Sequence, residues 1–348
     1  MSCPPAPILT LAPIRGITDA VYRDAFARCF GGFDRAIAPF IQLRQGQPLK
    51  AGELRQVAPE LNRGMRTIPQ VLTNHAPTFL AALHELHAAG HDEVNWNLGC
   101  PYPMVAGRGR GSGLLPHPER IDAILGQVLE KAPVRLSVKL RLGYRNPDEF
   151  AAVLEVLNRY PLTAVILHAR TASQMYAGTV DLERAAQALA RCRHPFEYNG
   201  DITEPCGFRN LREKLPGAAS WMIGRGALAD PFLPARLKEK PEVPMINAEC
   251  SCNTSTLDIR NSKLSAIPTP DARCQQLREF HGQLLDGYRQ WLSGPGHLLD
   301  KMKEQWTYLA LAFAQPRPII ARIRHSGDLA AYAAAVDWAF VQPLVPRK

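Results

Sequence analysis

The chain has 348 residues, 46% of them hydrophobic, and a formal net charge of +9. That length allows a sizeable core in one large or two modest domains. The lack of any apolar run of about 18 residues excludes a membrane-spanning helix. The basic balance attracts polyanions, yet many enzymes of phosphorylated metabolites share it, so alone it decides nothing. The opening Met-Ser-Cys-Pro-Pro-Ala-Pro has neither a basic nor an apolar leader, and no signal peptide is expected. Eight cysteines without framework spacing point to free thiols in a reducing cytoplasm. Cys250-Ser-Cys252 has the wrong gap for a zinc knuckle, and no metal site is expected.

Short β-like runs alternate with helical patterns from the start. Residues 8–14 read as the first strand and 18–30 as an amphipathic helix that Thr18 or Asp19 can cap. A second strand is expected over 33–41, followed by a long polar connection to residue 62. The third falls at 67–73, before a helix over 77–89 with Leu80, Leu83 and Leu86 on one side. Residues 93–99 alternate Val94, Trp96 and Leu98 against Asn95 and Asn97, the pattern of a strand with one packed and one polar side. That strand breaks at Gly99-Cys-Pro101 and runs into the glycine-rich 107–113.

After a helix over 117–132 come a strand at 135–142, a helix over 147–159 and a strand at 164–169. A helix over 181–192, a strand at 196–200, a helix over 204–215, a strand at 221–224 and a helix over 231–240 complete the series. Eight strands alternating with helices across residues 1–240 predict an α/β fold, a (β/α)8 TIM barrel. A doubly wound open sheet is the alternative, but no Gly-x-Gly-x-x-Gly follows the first strand. Residues 241–271 turn to Ser, Thr, Asn and Pro without periodicity and read as a linker or insertion. Helices are expected over 274–292, 298–313 and 328–340, within a small carboxy-terminal all-α domain at 272–348. Its aromatics Phe280, Tyr288, Trp291, Trp306, Tyr308 and Phe313 suit a bundle core.

Chemistry in such a barrel sits at the carboxyl ends of the strands. The sequence puts Pro13, Ile14 and Arg15 there, with Gln70, Asn97, Cys100, Lys139, Arg141, His168 and Arg170. Asn199, Gly200 and Asp201 follow the seventh strand, Gly224 and Arg225 the eighth. Singly, each has a structural explanation: a lysine snorkels, a histidine bonds in the core, a cysteine is a small buried hydrophobe. Together they crowd amides and cations at one mouth, where leaving each group unpaired costs about 1–3 kcal/mol. An anionic, hydrogen-bonding ligand is implied. The turns at 199–201 and 224–226 fall at the usual phosphate seat of a barrel, and Arg225 adds charge. A flat phosphorylated cofactor such as FMN suits that layout, with Lys139, Gln70 and Asn97 left for its body.

In order along the chain, these pieces resemble the tRNA-dihydrouridine synthase family. They are Ala12-Pro13 with Gly16 and Asp19, Gln70, Asn97-Leu-Gly-Cys-Pro101 and Lys139-Leu-Arg-Leu-Gly143. His168-Ala-Arg-Thr171 with Gln174, Tyr176 and Gly178, then Asn199-Gly-Asp-Ile202 and Met222-Ile-Gly-Arg-Gly-Ala227, continue the set. The resemblance covers residues 8–240, and the helical tail is similar to the family's tRNA-binding domain. It implies an enzyme that reduces uridine in tRNA to dihydrouridine, using FMN and NADPH (or NADH); a monomer in the cytoplasm, without membrane association, is expected. It implies flavin contacts from Pro13, Ile14, Arg15, Gln70, Lys139, His168, Asn199, Gly200, Asp201, Gly224 and Arg225. Asn97, Arg141, Arg170 and Tyr176 would meet the substrate. In that scheme hydride passes from flavin N5 to uracil C6 and Cys100 protonates C5, with Asn97 and Lys139 assisting. A thiol of ordinary pKa, about 8.5, already suits an acid.

Tyr102-Pro-Met104 departs from the small polar or basic residues that often follow the family's Cys-Pro. The arginine-studded loop from Gly107 to Gly111 either contacts RNA phosphate or decorates a surface. Three other readings stay open: an FMN barrel acting on a free metabolite, a barrel in which Lys139 forms a Schiff base, and a non-catalytic RNA-binding relative.

Overall fold

Two prolines give the barrel more strands than it has positions. The computed structural model describes residues 6–239 and 269–346, and among them ten short parallel strands form one sheet. These are β1 (Leu9–Leu11), β2 (Arg35–Ile37), β3 (Ile41–Gln42), β4 (Arg66–Ile68) and β5 (Gln70–Leu72). β6 (Glu93–Leu98), β7 (Arg135–Arg141), β8 (Val165–His168), β9 (Phe196–Asn199) and β10 (Ser220–Ile223) follow. Pro39 stands between β2 and β3, and Pro69 between β4 and β5; neither can donate to a ladder, so each strand breaks there. β4 pairs with β2 while β5 pairs with β3 and β6, so the chain across Pro69 joins the two ends of the sheet. With β10 beside β1, the ring closes on eight positions. The fold is the (β/α)8 TIM barrel expected from the alternation.

The barrel helices are α1 (Ala20–Cys29), α2 (Ala51–Val57), α3 (Ala76–Ala88), α4 (Pro103–Ala106) and α5 (Pro118–Leu129). α6 (Glu149–Leu157), α7 (Leu182–Arg191), α8 (Pro205–Lys214), α9 (Arg225–Ala229) and α10 (Leu233–Lys238) complete them. Asp19 caps α1 by accepting from Tyr22 N at 3.0 Å. α2 falls inside the segment read as a polar connection; Val57 is its one buried residue, so it carries no apolar stripe. All six residues of β6 are buried. Val94, Trp96 and Leu98 pack into the shell between barrel and helices, whereas Asn95 and Asn97 turn into the barrel interior.

Four further helices, α11 (Pro270–Trp291), α12 (Pro295–Leu309), α13 (Pro316–His325) and α14 (Leu329–Ala339), form the carboxy-terminal region. They share one hydrophobic core with α1. Tyr22 and Phe30 of the barrel meet Phe280 edge-on, with ring centroids 5.5 and 5.0 Å away. α11 begins four residues before the expected Cys274, where Thr269 caps it by accepting from Ala272 N. α13 was not anticipated by the apolar pattern: only Ile319 and Ile323 are buried on it, between arginines. Nearly all of the linker segment 241–271 lies outside the described residues, as does Cys250-Ser-Cys252. Among the described residues no helix is long and apolar enough to cross a membrane, and no cluster of His, Cys, Asp and Glu could hold a metal ion.

Candidate active site

Where β6 ends, the chain turns through Gly99 and Cys100, and a row of amides fixes that turn. Asn97 Oδ1 accepts from Gly99 N at 3.0 Å and from Cys100 N at 2.9 Å. Its Nδ2 donates to Gln70 Oε1 at 2.8 Å, and Gln70 Nε2 donates to Asn95 Oδ1 at 2.7 Å. Asn95 donates in turn to Ser137 Oγ at 3.0 Å. Side chains from β5, β6 and β7 thus hold one backbone turn from below. The glycine-rich loop holds it from the other side: Ser112 Oγ and Ser112 N both donate to Cys100 O, at 2.8 and 3.2 Å. Gly111 makes this approach possible, since its φ is +55° and a Cβ there would lie 2.9 Å from Cys100 Cβ.

Cys100 is 6% exposed. Burial pushes its thiol pKa up, opposed by the Tyr102 backbone and the nearby charges of Arg15, Arg141 and Lys139. At neutral pH it is a thiol, not a thiolate. Before it opens a cavity of about 1080 Å³ at the carboxyl ends of the strands.

Lys139 and Arg141 from β7 and His168 from β8 enter the same space. Lys139 makes no hydrogen bond or ion pair with any described residue. Burial first, and the neighbouring Arg141 second, bring its pKa down to about 7. His168 is held well below its ordinary value by burial and by the surrounding cations, so its imidazole is neutral. Arg141 Nη1 donates to Thr171 O at 2.8 Å and Met175 O at 2.7 Å, which ties down the loop after β8. That loop presents Tyr176 between Arg141 and Arg225, whose guanidinium carbons lie 5.5 and 4.4 Å from the ring centroid.

The far side of the cavity is built by the turns after β9 and β10. Asn199 Nδ2 donates to Met222 O at 2.8 Å. Asp201 is bridged by Arg225 at 3.3 Å, and Arg225 with Gly226 opens α9, where backbone N–H groups lack intrahelical acceptors.

Every residue expected at the site lines this cavity except Arg170. Arg170 was expected to touch the substrate, but its side chain is 2% exposed and fully committed inside the protein. Its two Nη atoms grip both oxygens of Asp201 at 2.9 and 2.6 Å, and it also donates to the carbonyls of Ala177 and Gly178. It supports Asp201 and the Tyr176 loop from beneath.

The sequence reading missed the contribution of the carboxy-terminal helices. Tyr308, Leu311, Ala312 and Arg273 line the cavity, and Tyr308 was expected in a bundle core. No local motif marks them; packing of α11 and α12 against the barrel brings them there. Phe40 and Arg209 were also missed, on a short strand connection and an outer helix respectively.

Comparison with known proteins bears on this arrangement. Residues 10–291 match the family described as Dihydrouridine synthase (Dus). The tRNA-dihydrouridine(16) synthase of Pseudomonas putida is 31% identical over 233 residues, covering 65% of this chain and 71% of the relative. That of Cupriavidus necator is 30% identical over 239 residues, covering 66% and 73%. Among solved structures, the old yellow enzyme homologue of Zymomonas mobilis superposes with a TM-score of 0.49 at 13% identity, covering 68% of this chain and 89% of that one.

Proposed function

This chain belongs to the dihydrouridine synthase family, and from that premise we propose that it reduces uridine to dihydrouridine at position 16 of tRNA, with FMN as cofactor and NADPH as reductant. The residues present fit FMN. Seven cationic side chains line the cavity against three carboxylates, an excess that an anionic ligand would offset. Lys139 is an amine without a partner, poised to take up a proton when a negative group arrives. Lys139, Gln70 and His168 would hold the ring system, with Pro13–Arg15 beside it; Asn199–Asp201, Gly224 and Arg225 would hold the ribityl chain and phosphate. Bound there, FMN would supply a hydride (two electrons and one proton) to uracil C6, with NADPH replenishing it.

The rest of the chemistry belongs to the protein. Cys100 Sγ–H donates its proton to uracil C5, and burial keeps that proton in place until the base accepts it. The thiolate left behind faces the positive charges of Arg15, Arg141 and Lys139, which steady it until solvent returns a proton. Asn97 fixes the Cys100 backbone, so the thiol is presented in one geometry. Tyr102, Tyr176 and Tyr308 offer aromatic faces around a base extruded from RNA. The observation that carries this reading is a buried, protonated thiol sharing one cavity with an unpartnered lysine. Purified protein incubated with unmodified tRNA and NADPH tests it. Dihydrouridine should appear at position 16 with the wild-type protein and not with Cys100→Ala, while that variant still binds FMN. Turnover by the alanine variant would contradict the assignment.

A further inference from the structure

The turn after β1 carries Pro13, Ile14 and Arg15 into the cavity, and its outer surface is held by the carboxy-terminal helices. Inside the turn, Thr18 Oγ1 accepts from Ile14 N at 2.8 Å and donates to Ala12 O at 3.2 Å, closing a compact loop at Gly16, whose φ is +83°. Outside it, Lys301 of α12 donates to Gly16 O and pairs with Asp19 at 2.8 Å. Gln305 donates to Ile17 O at 3.3 Å and to Tyr288 OH at 2.8 Å. Tyr288 of α11 donates to Asp19 Oδ1 at 2.9 Å. Glu304 closes over Gly16 so tightly that a Cβ there would lie 2.6 Å from its Oε1.

These bonds are not surface decoration. Lys301 and Asp19 keep only 15% and 18% of their side-chain area exposed, and Tyr288 and Gln305 are buried. Tyr288 OH links the carboxylate and the carboxamide, so the network moves as one unit. Two successive backbone carbonyls, of Gly16 and Ile17, take their donors from α12.

We propose that Lys301, Tyr288 and Gln305 are positioning residues for the cofactor: docking of the helical region onto Asp19 and the Gly16 and Ile17 carbonyls sets the shape of the Pro13–Arg15 wall, and so the affinity for FMN. The inference rests on the cofactor reading above. Because coupling is reciprocal, FMN in the cavity tightens the hold of α11 and α12 on the turn by the same factor.

Titration of the flavin-free protein with FMN, followed by flavin fluorescence, tests this. Lys301→Met and Tyr288→Phe should each raise the FMN Kd about tenfold, the worth of one charge-assisted hydrogen bond shared with other supports. Both should change the visible circular dichroism of bound flavin. Tyr288→Phe removes a single hydroxyl and keeps the ring, so it reports even where Lys301→Met folds poorly. Arg278→Ala breaks an exposed pair between α11 and α14, with Asp337 at 3.0 Å, and should leave the Kd within about twofold of wild type. FMN binding left within about twofold by both Lys301→Met and Tyr288→Phe would overturn the inference alone. Absence of FMN binding by the wild-type protein would overturn the cofactor reading and the inference with it.

Discussion

Replacing Asn97 with alanine tests how the thiol is held. The substitution removes the acceptor for Gly99 N and Cys100 N and the donor to Gln70 Oε1. Gln70 is wholly buried, and its Oε1 loses the Asn97 donor. The two N–H groups lie next to the cavity, where water can enter the space vacated by the carboxamide. Counting about 1–3 kcal/mol for each group left unsatisfied, and discounting the two that water reaches, gives a destabilisation of roughly 2–4 kcal/mol. In a chain of this size that corresponds to a melting temperature lower by roughly 3–5 °C. The larger effect falls on turnover. In the proposed reaction, a shift of the Cys100 backbone on the order of 1 Å would displace the thiol from C5 and lower the rate of uridine reduction on the order of 100-fold. Single-turnover mixing of NADPH-reduced enzyme with tRNA, read as dihydrouridine formed, isolates that step, while flavin reduction by NADPH serves as the control. Turnover within about threefold of wild type at an unchanged melting temperature would refute the claim that this carboxamide holds the thiol in place.

If FMN binds as proposed, Lys139 should make its affinity pH-dependent. Its free-protein pKa is lowered to about 7, so above that pH binding an anion must also bind a proton. The Kd for FMN should rise about tenfold per pH unit above 7 until the bound-state pKa is reached, and Lys139→Met should flatten the profile. The same depression destabilises the flavin-free fold below pH 7, and the penalty fades as pH rises from about 7 towards 10, because the unfolded chain holds the extra proton there. Melting of the flavin-free protein across that range should therefore show a rise that Lys139→Met lacks. Arg170→Met should lower the melting temperature and weaken FMN retention without changing the pH profile, since it leaves the carbonyls of Ala177 and Gly178 without this donor and Asp201 with only its 3.3 Å contact to Arg225. Equal stability of wild type and Arg170→Met, measured by calorimetry, would contradict that supporting role.

Much of the barrel was legible because its signal is local. The β6 alternation separated Val94, Trp96 and Leu98 from Asn95 and Asn97, although the polar side faces the barrel interior rather than water. Gly224-Arg225 and Asn199–Asp201 stood at strand ends, where position alone marks function. What stayed hidden was non-local. Pro39 and Pro69 were visible as prolines, yet the splitting of two strands follows from which neighbours they face. Arg170 looks like an exposed strand-end cation until Asp201, far along the chain, arrives to bind it. Tyr308 has the spacing of a core aromatic, and only the docking of α12 turns it towards the cavity. α2 and α13 bury too few side chains for a periodic stripe to show.

Whether Cys100 delivers the proton in the proposed reduction of uridine in tRNA is read by position-resolved mapping of dihydrouridine in cells lacking the gene and re-expressing either the wild-type protein or Cys100→Ala. Dihydrouridine at position 16 should be lost in the deletion, return with the wild-type protein and stay absent with the alanine variant. Unchanged dihydrouridine at that position in the deletion, or full recovery with Cys100→Ala, would refute the role of this thiol.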